Sequence, residues 1–159
     1  MATPRDIRRL AFQLLFQLDA HGGADEASLR AWATTADTSE GFAPRDIESA
    51  LGTAQAAFAA RAAADAEFDR LAPAWPARRQ AAVDRAILRL CHFELTRPDP
   101  APLKAIVNDA VELAKEFSTD RSPAFINGLL DKVLKRISGA ESAMATDPRT
   151  ETTGEPPAG

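Results

Sequence analysis

The sequence predicts an all-α protein, and three observations carry that prediction. Alanine is abundant, tyrosine is absent and β-branched residues are sparse outside the last third, a balance that favours helix over sheet. Apolar residues recur at spacings of three and four along most of the 159-residue chain, the period of an amphipathic helix. No stretch alternates apolar and polar residues as a half-buried strand does, and no repeat period appears.

Thr3 is placed to cap a first helix with Pro4 at its first position. That helix extends to about His21, where Gly22 and Gly23 end it. A shorter helix is expected over residues 25–33, with Leu29 and Trp32 as its apolar pair, followed by a loop over 34–43. Pro44 opens the next helix; Ile47, Leu51, Ala54 and Phe58 set its stripe, and Phe68 and Leu71 continue it to Pro73. A helix of that length is expected to break once, within residues 60–64. Pro73 and Pro76 bracket a turn around Trp75. Over residues 79–96, Val83, Ile87, Leu88, Leu90, Phe93 and Leu95 go nearly all round the helix, which marks it as central. The stiff connector 97–102 leads to a helix over 103–117. Ser122 then caps a last helix with Pro123 in its first turn and Phe125, Leu129, Val133 and Ile137 as its core stripe. After Ile137 the pattern stops. Residues 138–159 read as a disordered acidic tail, which leaves residues 1–137 as one helical domain.

The net charge is −4, and the tail holds most of it. From Ser138 onward Glu141, Asp147, Glu151 and Glu155 face only Arg149, so a basic patch on the body is not masked by bulk charge. The single cysteine, Cys91, has no internal partner, which suits a reducing cytoplasm. The polar start does not resemble a leader peptide, and no apolar run approaches the roughly 20 residues of a membrane span. Catalytic patterns are missing too. His21 and His92 lie on different helices, and Cys91 and His92, adjacent on one helix, point about 100° apart. No HExxH, CxxC, phosphate-binding loop or GxGxxG is present. Asp109, Glu112 and Glu116 share one helix face and read as a solvated row beside Lys115. Neither enzyme activity, nor a cofactor, nor a metal is expected, and binding remains.

On a helical wheel Arg5, Arg8, Arg9, Phe12 and Phe16 fall in one sector, with Ile7, Leu10, Ala11, Leu14 and Leu18 opposite. One face can enter a core while the other presents guanidiniums and rings. Guanidiniums grip phosphates bidentately, rings stack on bases, and a helix N-terminus favours a phosphate. That combination suits single-stranded RNA. An ordinary charged surface with both rings under a second layer of helices fits the same wheel, and Asp6 and Asp19 dilute the field.

The last third carries a resemblance. VDRAILRL at residues 83–90 followed by Phe93-Glu94-Leu95, KAIVNDAVELAK at 104–115 and SPAFINGLLDK at 122–132 resemble three successive helices of the NusB family. Arg8-Arg9-Leu10-Ala11 and Leu14-Leu15-Phe16 extend the likeness to the first helix. The resemblance implies about seven helices in two packed sub-bundles. It also implies a transcription antitermination factor that binds the boxA element of ribosomal RNA leader transcripts with NusE, within the antitermination complex of RNA polymerase. By that likeness Arg5, Arg8 and Arg9 take RNA, Phe16 stands at a family tyrosine, and Asp84, Arg85 and Arg89 lie where NusE docks. Asn108, Ser122, Asn127 and Gly128 are motif positions. A helical glycine costs about 1 kcal/mol, so Gly128 is expected to admit a close helix, with Asn127 and Asn108 bonding across the crossing. Pro4 and Asp6 interrupt the family's basic run, and Arg121 stands where an acid is common, able to restore a positive charge beside Ser122. Two alternatives stay open: a bundle that binds only protein, and a detached accessory domain of an RNA methyltransferase. A homodimer that hides the aromatic face is a further possibility.

Overall fold

Local capping chemistry sets the helix ends. In α1 (Pro4–His21) the Thr3 hydroxyl accepts from the Asp6 amide while the Asp6 carboxylate accepts from the Thr3 amide, so two otherwise orphaned donors are satisfied reciprocally. Gly22 closes the helix in the left-handed region at φ 66°. Asp25 caps α2 (Glu26–Thr35) by accepting from the Ser28 amide, and α2 runs two residues past its expected end. A single 3-10 turn, Asp37–Ser39, interrupts the loop that follows. Helix α3 (Pro44–Ala59) starts on its proline, with Asp46 reaching back to the Ala43 amide. Ala60 separates it from α4 (Arg61–Leu71), inside the stretch where a break is expected.

Helix α5 (Ala82–Leu95) starts three residues later than its apolar pattern suggests, because a 3-10 turn, Ala77–Arg79, and extended Gln80 come first. Helices α6 (Leu103–Phe117) and α7 (Ser122–Ala145) complete the chain. The computed structural model describes residues 2–145, which form these seven α-helices and no strand. Helix α7 continues eight residues beyond Ile137, into the segment read as tail. Ala140, Glu141, Ala143 and Ala145 are good helix formers, so backbone propensity extends the helix after its apolar stripe ends. The rest of the expected tail, 146–159, lies outside the described residues.

Helices α1, α2 and α3 form one sub-bundle and α4 to α7 the other, with α5 touching α1, α3, α4, α6 and α7. Leu15, Ile87, Leu88, Ile106, Ile126 and Leu130 are among the fully buried side chains, each contributing about 1.5–3 kcal/mol. No described helix is long and apolar enough to cross a membrane. Gly128 does not behave as expected. A Cβ built there meets nothing within 4 Å, and Asn127 and Gly128 are exposed. Helix α7 packs instead through Ile126, Leu130 and Val133, on the face a half-turn away. Among the described residues neither Asn108 nor Asn127 bonds across the crossing.

Candidate nucleic-acid interface

The arginines of α1 meet carboxylates of α5 and α6. Helices α1 and α6 run in the same sense, so Arg5 reaches Asp109 at 2.9 Å and Arg9 reaches Glu116. Arg8 is held by Glu94 and Asp109, both at 2.6 Å, and its side chain is only 11% exposed. Burial works against its charge, and the two carboxylates more than offset this, holding its pKa above the usual arginine value. The structure thus places Arg8, expected as an RNA contact, in the joint between α1 and its neighbours. The acid row on α6 is corrected with it. Only Glu112 pairs with Lys115, at 3.1 Å, while Asp109 and Glu116 face α1.

The rings divide. Phe12 is 3% exposed and packs on Phe117 with centroids 5.2 Å apart. It is no stacking platform, because the end of α6 covers it. Phe16 is half-buried and lines an open groove of about 480 Å³ with Val83, Phe117, Trp32, Gln13 and Gln17. Gln13 also accepts from the Thr38 hydroxyl at 2.6 Å. Wheel positions place Gln13 and Gln17 beside Arg9, a signal that reading only charges and rings passes over. Arg5 stays 55% exposed and Arg9 39%, and the Arg9 guanidinium lies 5.4 Å from the Phe117 ring centroid. Arg121 is exposed in the turn between α6 and α7, four residues past Phe117. Ser122, expected as an RNA contact, is buried and donates to Asp84 at 3.0 Å, which ties the α7 N-terminus to α5.

The three residues expected to meet a protein partner are engaged inside the fold. Asp84 accepts from Ser118 at 2.6 Å as well as from Ser122. Arg85 binds Asp19 at 2.6 Å and donates to the carbonyls of Ala77 and Gln80. Arg89 bridges Asp19 at 3.0 Å and Asp65 at 2.7 Å. Burial alone raises the Asp19 pKa, but the two guanidiniums overcome it and hold that carboxyl below the ordinary aspartate range. Arg85 and Arg89 clasp α1 and α4 to α5, and Asp84 ties the turn between α6 and α7 to it. A second cluster escaped the sequence: buried Glu67 accepts from His92 at 2.7 Å and from Arg136, joining α4, α5 and α7. A shallower groove between α6 and α7 is lined by Lys104, Val107, Asn108, Pro123, Asn127 and Leu134 among others. No group of three metal-ligating side chains occurs among the described residues.

A family model described as the NusB family matches residues 5–135. The chain is 38% identical over 144 residues to a Symbiobacterium thermophilum protein named transcription antitermination protein NusB, covering 87% of this chain and 94% of that one. A Streptomyces griseus protein of the same name is 38% identical over 131 residues, covering 82% and 90%. Among solved structures, T. maritima NusB matches with a TM-score of 0.72 at 29% identity, over 85% of this chain and 93% of that one. A chain from a complex of NusB and NusE with double-stranded RNA shares the fold, with a TM-score of 0.70 at 21% identity, over 83% and 96%.

Proposed function

The chain belongs to the NusB family, and from that premise we propose that it is a transcription antitermination factor that binds boxA RNA together with NusE. It works without catalysis, as an adaptor that joins leader RNA to the transcribing polymerase in the cytoplasm. The observation that carries the RNA reading is the outer face of α1, where Arg5 and Arg9 line a hollow against α6 and the same wheel sector continues to a groove lined by Phe16, Gln13 and Gln17. The partly exposed Arg9–Glu116 pair is worth only about 0–1 kcal/mol, so a phosphate can displace Glu116 from Arg9; buried Asp109 keeps its bond to Arg8 when the exposed Arg5 side chain turns to a phosphate. A base laid on Phe16 contributes about 1–3 kcal/mol, and Gln13 and Gln17 offer amides to its edge. Arg121 supplies a third cation. Arg8 contributes by fixing the angle of α1.

With Asp84, Arg85 and Arg89 engaged internally, the groove between α6 and α7 is the better place for NusE. Its exposed Asn108 and Asn127 carboxamides are free to bond a partner backbone, and Gly128 leaves room for close approach. The test is a titration of boxA RNA with and without NusE across a salt series. Three phosphate contacts on a single strand give a log–log slope of about −2, and Arg121→Asp weakens binding. Flat salt dependence rejects the α1 rim as the RNA site. Binding to NusE without RNA favours a bundle that serves protein alone.

A further inference from the structure

We propose that the turn between α4 and α5 is a second contact for single-stranded RNA, with a base stacked on Trp75 and its flanking phosphates held by Arg78 and Arg79. This rests on the RNA-binding reading above and extends its footprint to a site at the other end of α1.

Trp75 is 47% exposed, the one large hydrophobic side chain so placed among the described residues. The Arg79 guanidinium lies 6.0 Å from its ring centroid, the outer edge of cation–π range. Arg70, Arg78 and Arg79 are all exposed, and none forms an ion pair among the described residues. The acid within this segment, Asp69, accepts from the Ala77 amide at 2.8 Å. Lys132 adds a cation on the flank, with its amine 3.4 Å from the Leu71 carbonyl.

The turn is also held rigidly. Buried Gln80 donates to the Trp75 carbonyl at 3.3 Å, and Arg85 donates to the Ala77 and Gln80 carbonyls at 3.1 and 3.2 Å. A turn backbone held in this way loses little freedom on binding. Its apolar face is open to a base, and guanidiniums without acidic partners complement a polyanion. Arg85, which pins the turn, also binds Asp19 near the C-terminal end of α1, whereas Arg5 and Arg9 sit at the start. The helix between them spans about 15–21 Å at 1.5 Å per residue, within reach of one strand.

The experiment measures anisotropy of a fluorescein-labelled single-stranded boxA oligoribonucleotide, with and without NusE, over a salt series. The proteins are the full chain, Trp75→Ala, Trp75→Phe, Arg78→Ser with Arg79→Ser, and Arg5→Ser with Arg9→Ser; thermal melts confirm that each is folded. Trp75→Ala is expected to weaken binding about 5- to 150-fold, and Trp75→Phe to restore most of it. The Arg78/Arg79 variant is expected to make the salt slope shallower by about 1.4. Parent-like affinity and slope in these variants, with loss only in the Arg5/Arg9 variant, overturns the second contact and leaves the first. Loss of NusE binding with RNA binding intact overturns it in favour of a protein surface. If the parent binds no RNA under either condition, both readings fall.

Discussion

Arg5, Arg8 and Arg9 on α1 each meet a carboxylate from α5 or α6, whereas Arg70, Arg78 and Arg79 around the α4–α5 turn meet none among the described residues. The first set is the one a helical wheel singles out. The second is spread over a helix end and a turn, where no wheel gathers it. Once folded, the stripe is largely a joint between helices, and its field is neutralised at close range by Asp109, Glu94 and Glu116. A phosphate feels the field that remains after internal pairing. The number of arginines in a segment is therefore a poor guide to its affinity for RNA.

The largest effect that separates the two sets is on stability. Arg8→Met leaves Glu94 buried without its cation and lowers unfolding free energy by about 3–5 kcal/mol in urea denaturation. Arg79→Ser changes it by less than about 0.5 kcal/mol. Equal losses would break the comparison, because Arg8 would then be no more structural than a surface residue. Next comes the acid limb. Asp19 is held below 3.8 by Arg85 and Arg89, and Glu67 below 4.5 by Arg136 and His92, in each case against the upward push of burial. A carboxyl with a lowered folded pKa contributes stability above its unfolded value and loses it as pH falls through the folded one. Denaturation across pH should therefore show this contribution intact at neutral pH and fading below about pH 4.5. Asp19→Asn should flatten that limb at a cost of about 2 kcal/mol at neutral pH. The Arg78/Arg79 variant should leave its shape unchanged.

Much of the fold was legible because helix ends are local chemistry. Thr3 before α1 and the break at Ala60 are settled within a few residues, while Asp25, expected as the first residue of α2, caps it from outside. The start of α5 was not, since Gln80 is held out of the helix by its bond to the Trp75 carbonyl. The site was legible in halves. The wheel of α1 and the acid row of α6 were both visible, but their meeting depends on two helices lying side by side about a hundred residues apart, which no spacing encodes. The same holds for Asp84, Arg85 and Arg89: sequence marks them as charged residues on a central helix, and only packing shows their partners to be Ser122, Asp19 and Asp65. The prolines around Trp75 indicate a turn, while its exposure follows from how that turn docks on Asp69.

Gly128→Ala tests the other groove with a smaller effect. The added methyl meets open space, and alanine is the better helix former, so the variant should be more stable by about 1 kcal/mol in thermal unfolding. If NusE passes close over α7, the same methyl should weaken NusE binding while leaving RNA binding by both arginine sets unchanged. Unchanged NusE binding would move the partner elsewhere.

The smallest effect bears most directly on the comparison. Arg9 and Glu116 are both partly exposed, the buried Arg9 Nε lacks a partner, and such a pair is worth about 0.2–1 kcal/mol. Glu116→Gln should therefore leave stability nearly unchanged while releasing the guanidinium. If pairing is what holds the α1 stripe back, RNA affinity should rise about 1.4- to fivefold at low salt, with the gain shrinking as salt screens the competing charge. The gain should persist when Arg78 and Arg79 are serine, because distant and independent sites add. A fall in affinity would mean instead that Glu116 aims Arg9 at the phosphate. The paired arginines would then be the prepared ones, and the unpaired cations at the turn would supply attraction without geometry.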